Sequence, residues 1–258
     1  MKALHKKLQR MAGKAIREYG MIQSGDRLLI GVSGGPDSLA LLNLFAGPSF
    51  IPDIPFEIVA VHVDLGFEET EPFMRDRLRD HFETLGVPYK IIRTDISKHM
   101  LDPKAKKNPC FICSMYRRRR IYETADQLNC NKILYGHHKD DIIETLLLNI
   151  FYGRQIGSMN PVQDVFKGSI HIIRPLMYVD EWILKDYAKK AGLPELPRLC
   201  PVDGNSRRDK IKQLIKDLQA DEKNQNIREN IFKAHKNAQI GFEPGECGLH
   251  GNYEKNIT

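Results

Sequence analysis

No segment of this 258-residue chain approaches the ~20 consecutive apolar residues of a membrane span, and its basic first twenty residues lack the unbroken apolar stretch of a secretory signal. A cytoplasmic protein with no membrane partner is therefore expected. Cysteine is scarce as well, with five in a chain long enough to bury a core without cross-links. That excludes a disulfide scaffold and leaves metal binding or catalysis for the cysteines that cluster. There is one tryptophan, no internal repeat, and no second CxxC to complete a four-cysteine zinc site. Two phosphate-binding signatures are also missing: the Gly-Lys-Ser/Thr ending of a Walker loop and the three-glycine spacing of a dinucleotide fold. Acidic charge is in deficit, with 39 Lys and Arg against 33 Asp and Glu, so the net charge of +6 suits a polyanionic partner without requiring one.

What is present begins with Ile30-Gly31-Val32-Ser33-Gly34-Gly35-Pro36-Asp37-Ser38-Leu39, a glycine turn between an apolar run and an apolar helical segment. Ser33, Gly34 and Gly35 let backbone N–H groups approach an anion, and the helix that follows adds its unsatisfied N–H groups and positive dipole end. A pyrophosphate fits such a cradle, which makes ATP the first ligand to test. Gly-Gly and Pro-Asp also favour turns that bind nothing.

Strand-like and helix-like runs then alternate over 56–63, 73–85, 89–93, 111–128, 132–136, 140–152, 170–174 and 182–191. The expected fold is α/β, a parallel sheet with helices on both faces and helical extensions at each end. Three units are expected: 1–24, a basic amphipathic helix with Leu4, Leu8, Met11, Ala15, Ile16 and Tyr19 on one face; 25–200, the main domain; and 201–258, a polar helical extension ending in a loose tail. In such a sheet ligands gather at the carboxyl ends of the strands, where the glycine turn, Asp64 and His137 all fall.

Two further constellations carry chemistry. In Gly136-His137-His138-Lys139-Asp140-Asp141-Ile142-Ile143-Glu144-Thr145, carboxylates in the first turn of a helix can cap it, hold Mg2+, or do both. In Pro109-Cys110-Phe111-Ile112-Cys113, two cysteines open a helix that continues through Arg117–Arg120, and a helix N-terminus favours thiolate. Cys200 is the obvious third cysteine. Three thiolates leave one coordination position open, as a reactive iron-sulfur cluster requires and a closed zinc site does not. Cys130 reads as a small buried residue, Tyr116 and Tyr122 as helix packing, and Cys247 with His250 as incidental.

Taken together, SGGPDS, PCFIC followed by arginines, GHHKDDIIETLLLNIFYG, and IRPL at 173–176 resemble, in order, the tRNA 2-thiocytidine synthetase family of PP-loop ATP pyrophosphatases, from about Leu8 to Cys200. The resemblance implies ATP- and Mg2+-dependent adenylation of a tRNA pyrimidine at C2, cytidine favoured, and a [4Fe-4S] cluster through which sulfur replaces the oxygen. Cys110, Cys113 and Cys200 would be the cluster ligands. Ser33, Gly34, Gly35, Asp37 and Ser38 would form the pyrophosphate cradle. Adenine would lie near His62 and Val63, with Gly136, His137 and Arg174 lining the nucleotide and Asp141 holding Mg2+. Partners would be tRNA, contacted by the first helix and Arg117–Arg120, and a sulfur donor, sulfide or a persulfide carrier; a homodimer is compatible with the family. Two features depart from its pattern. Pro36 stands where the usual SGGKDS loop has lysine, and Pro197 occupies the neighbourhood of a cysteine common near the third ligand. The alternatives are a lysidine-synthetase-like tRNA ligase, which shares SGGPDS and HHxDDxxET but needs no cysteines, and a non-catalytic, zinc-stabilised RNA-binding protein.

Overall fold

The computed structural model describes residues 1–47, 54–67, 73–197, 199–201, 204, 206–221, 225–234 and 237. The tail expected over 241–258 lies outside the described residues. Helix α1 (Lys2–Glu18) leads into β1 (Arg27–Gly31), α2 (Pro36–Ala46), β2 (Glu57–Asp64), α3 (Phe73–Thr84), β3 (Tyr89–Arg93), α4 (Ile96–Met100) and α5 (Pro109–Gln127). Next come β4 (Lys132–Leu134), α6 (Lys139–Gly153), β5 (Val162–Val165), β6 (Ile170–Ile173), α7 (Glu181–Ala191), α8 (Arg207–Asp221) and α9 (Ile227–Ala234). Among the described residues no helix is long and apolar enough to cross a membrane.

Leu28 and Ile30 face one layer of the core and Leu29 the other, because successive side chains of a strand point to opposite faces of the sheet. Both faces are therefore apolar, and each is covered by helices. One layer gathers α1, α2 and α7 through Leu8, Ala12, Leu39, Leu42, Leu184 and Tyr187; the other gathers α5 through Ile121 and Ala125. The buried face of α1 includes Leu8, Ala15 and Ile16 of the expected stripe. Its lysines stay on the other side of the helix, so burial of the stripe fixes α1 against α2 without burying charge.

The strand order is β3-β2-β1-β4-β6-β5. β1 pairs in parallel with both β2 and β4, so the connections leave β1 in opposite directions and a crevice opens above the carboxyl ends of β1 and β4. The sheet is not wholly parallel. β5 runs antiparallel to β6 at the edge, from Val162 opposite Ile173 to Val165 opposite Ile170. A short turn, Phe166–Gly168, joins the two, and so tight a connection can only link antiparallel strands.

Candidate active site

Strand β1 delivers the chain into the crevice at Val32. Its N–H donates to the Val61 carbonyl at 2.8 Å, while its own carbonyl accepts from Nδ1 of buried His62 at 2.8 Å. His62 thus anchors the root of the glycine turn. Burial holds its pKa below the ordinary imidazole value, which keeps the ring neutral with the proton on Nδ1. Beyond Val32, Ser38 Oγ accepts from the Ser33 N–H at 3.0 Å and donates to the Gly35 carbonyl at 3.0 Å, and Ser33 Oγ accepts from the Gly35 N–H at 3.3 Å. Two hydroxyls therefore hold the turn closed and leave its outer rim to backbone. Gly34 has φ +86°, in the left-handed region. Pro36 takes the first helical position of α2, where its fixed φ suits the helix and its missing N–H costs no bond.

Strand β4 brings the second motif to the same place. A Cβ on Gly136 would lie 3.0 Å from the Asp37 carbonyl carbon and the Ser38 nitrogen, so this glycine permits the two loops to touch. His138, 3% exposed, lies among three carboxylates: Asp141 at 3.4 Å, Asp140 at 3.7 Å and Asp37 at 3.8 Å. Burial pushes the Asp37 carboxyl up to about 6, against the pull of His138 and with the help of Asp141. Oδ1 of Asp37, Nδ1 of His137 and Nε of Arg174 are buried without hydrogen-bond partners. The His137 ring is held down to about 4, by burial first and then by Arg174, Arg208 and His138. Arg174 enters from the end of β6, its guanidinium donating to the Asn160 carbonyl and, at 3.0 Å, to Gln163 Oε1. The edge strand β5 thereby positions it.

Cys110 and Cys113 open α5, and Cys200 lies four residues beyond Leu196, which touches the glycine turn. Asn108 caps α5 by accepting the Cys110 N–H at 2.9 Å, which places the CxxC in the helix's first turn. Burial pushes the Cys113 thiol up; Arg117 opposes that, and Cys200 and Cys110 are both near enough to raise it further. All the cysteines that the structure describes are free. No three His, Cys, Asp or Glu side chains among the described residues converge as a single metal ion requires. A cubane cluster makes a different demand, since each thiolate binds a separate iron.

The PP-loop domain family matches residues 3–194. A tRNA-cytidine(32) 2-sulfurtransferase from Alkalilimnicola ehrlichii is 37% identical over 242 residues, covering 93% of this chain and 75% of that protein. One from Aeromonas salmonicida is 39% identical over 216 residues, covering 83% and 70%. The chain belongs to this family of PP-loop transferases. Among solved structures, the U34-tRNA thiolase NcsA from Methanococcus maripaludis with its [4Fe-4S] cluster matches with a TM-score of 0.73 at 21% identity, over 92% of this chain and 78% of that one. At that identity the likeness shows a shared fold.

Two contributions to the site escape sequence reasoning. Leu196, four residues before Cys200, donates its N–H to the Gly34 carbonyl at 2.9 Å, and its side chain fills the space a Gly34 Cβ would need, with its Cγ 2.6 Å from that position. The segment that carries the third cysteine is thus seated on the glycine turn. The polar helices near the C-terminus form the second contribution. Arg208 binds Asp141 Oδ1 at 3.3 Å and Glu144 Oε2 at 2.9 Å, Lys212 stands 3.7 Å from Glu144, and Arg228 pairs with Asp140. Each acid of the α6 first turn has a cation from α8 or α9. The signal was present: Arg208 and Lys212 are four apart on one helix face, matching acids three and four apart on another. Asp141 also accepts the His138 N–H at 3.1 Å, so it caps α6. Arg119 and Arg120 both pair with Glu123, at 2.8 and 3.0 Å.

Proposed function

We propose that this protein is an ATP-dependent tRNA thiolase that activates a tRNA pyrimidine, cytidine favoured, and exchanges its C2 oxygen for sulfur. The observation that carries the reading is Leu196, four residues before Cys200, seated on Gly34, which supports a reading in which the third cysteine and the nucleotide cradle serve one centre. Relatives 37% and 39% identical are named for sulfur transfer to tRNA cytidine, which supports the substrate.

The residues fit the groups the reaction needs. A left-handed glycine turn at a helix start suits the phosphates of ATP. Asp37 has an unpartnered buried oxygen, and with Asp141 nearby it suits a hard cation that keeps water and phosphate as its other ligands. Free thiols at Cys110, Cys113 and Cys200, each able to bind a separate iron, suit a cluster held by those three residues. Bound there, Mg2+ would spread phosphate charge and the cluster would present sulfur.

The chain's own groups then divide the work. The N–H groups of Gly34, Asp37 and Ser38, which the turn's hydroxyls do not take up, hold the departing pyrophosphate as the pyrimidine O2 bonds to the α phosphorus and the α–β anhydride breaks. Arg174, held by Asn160 and Gln163, and neutral His137 would present N–H groups to the α phosphate. Arg117 favours the thiolate of Cys113. A C2–S bond next replaces the C2–O bond, and AMP leaves with the oxygen. The test is oxygen-free incubation of the purified protein with ATP, Mg2+, sulfide and a tRNA transcript bearing cytidine at position 32, the position in the relatives' name. Expected are tRNA-dependent pyrophosphate release and 2-thiocytidine in the digested RNA by mass spectrometry. Pyrophosphate without thio-nucleoside would overturn the sulfur-transfer step.

A further inference from the structure

Outside the crevice, a cavity of about 880 Å³ runs along the outer face of α5. Phe111, Met115, Arg118 and Tyr122 line it at helical spacing, and Phe166 and Asn131 close its far side. Phe111 lies between the two cysteines of the CxxC, while Asn131 and Ile170 stand at the amino ends of β4 and β6. The groove therefore leads from the cysteine rim down the flank of the molecule, about 22 Å along the helix at 1.5 Å per residue.

Three features say what it takes. Phe111, Met115 and Phe166 are 50%, 42% and 59% exposed, an apolar surface that folding leaves open. Phe166 and Lys167 have φ of +50° and +58°, a conformation a bulky residue adopts only under constraint, and the turn thereby holds an aromatic ring at the groove's edge. The charge along the groove is mixed: Arg118 and Arg119 line it with Glu123 and Asp126, and Glu123 is taken up by Arg119 and Arg120. Arg118 forms no ion pair among the described residues, and Lys107 stands 4.9 Å over the Phe111 ring at the upper end. Aromatic faces interleaved with unpaired cations are the recognition chemistry of single-stranded nucleic acid, in which bases stack and phosphates find arginine. A protein partner would not need the arginine unpaired.

We infer that this groove seats the unpaired nucleotides flanking the reacting base, with a base stacked on Phe166 and a phosphate on Arg118. This rests on the thiolase reading and adds to it a subsite beyond the reacting nucleotide. The test measures binding of a fluorescent tRNA transcript to anaerobically prepared holoenzyme by anisotropy across a salt series. Phe166→Ala weakens binding about 5- to 100-fold with the salt slope kept, since stacking is lost and no ion contact is. Arg118→Gln weakens it about tenfold and lowers the slope by about one. Leu218→Ala, the truncation of an exposed apolar side chain on α8, changes it less than about twofold. Wild-type affinity in both groove variants would overturn the groove while leaving thiolation intact, and failure of the wild type to bind tRNA would overturn the thiolase reading itself. Loss of self-association with RNA binding unchanged, read by light scattering, would assign the groove to a second copy and overturn the inference. A second readout covers a variant that fails to fold: 5-iodouridine next to the target cytidine cross-links to peptides containing Phe111–Tyr122 or Phe166 if the inference holds, and elsewhere if it does not.

Discussion

The two halves of the crevice are built to different standards. On the nucleotide half, hydroxyls tie the glycine turn shut, His62 anchors its root, and Gly136 lets a second loop press against it. On the thiol half, Asn108 caps the helix start at Cys110, Cys113 is half-buried, and Leu196, four residues before Cys200, donates its N–H to Gly34. Phosphate binding needs N–H groups fixed in advance, because a dipole that must reorient stabilises a developing charge less. Thiolates do not need that, since metal binding itself orders its ligands. On the proposed function, the cradle is ready before its ligand and the cysteines are ordered by theirs.

Gly34→Ala breaks this comparison at the point where the halves meet. The new Cβ falls within 3 Å of three Leu196 side-chain atoms and the backbone is left-handed, so either the turn or the Cys200 segment must shift. ATP-dependent pyrophosphate release should fall at least about 100-fold, on the scale of losing one anion-binding N–H group, and iron content should fall with it. Unchanged iron would show the halves to be independent.

Next in size is Arg208→Ala, which leaves Glu144, 3% exposed, with Lys212 at 3.7 Å as its remaining cation. Removing one partner of a buried ion pair costs about 3 kcal/mol. The thermal midpoint should drop by several degrees, and a change under one degree would mean that α8 does not grip α6 in solution.

The smallest effect is expected from Asp37→Asn. The carboxyl is raised by burial from 3.8 to about 6, so the stability it contributes is complete below 3.8 and is lost as pH rises through about 6. Asparagine should therefore stabilise the ligand-free protein at pH 7.5 by about 1 kcal/mol, screened below the full shift because the side chain is 31% exposed, and by nothing at pH 3.5. In the wild type, Mg-ATP affinity measured by calorimetry should weaken as pH falls below about 6, as the carboxylate takes a proton. Asparagine should abolish that dependence. A pH-independent affinity in the wild type would remove Asp37 from the cation site.

Much of this was legible in the sequence, for reasons that differ by element. β3 falls on 89–93 as expected, and α5, α6 and α7 begin within two residues of their expected starts, because apolar periodicity and a proline at a helix start such as Pro109 are strong local signals. β5 was missed because Val162-Gln-Asp-Val165 is four residues long with two exposed, too short for alternation to register. α4 is five residues long and carries no period at all. The site divides in the same way. The glycine turn and the CxxC are contiguous motifs, whereas Leu196 on Gly34 and Arg208 on Asp141 are contacts across 162 and 67 positions that only the fold brings together.

The most direct test of the shared centre is iron, acid-labile sulfide and zinc in protein purified without oxygen, wild type against Cys200→Ala. About four irons per chain with matching sulfide, lost in the variant, is the predicted result. Stoichiometric zinc without iron, or iron that survives loss of Cys200, would contradict it.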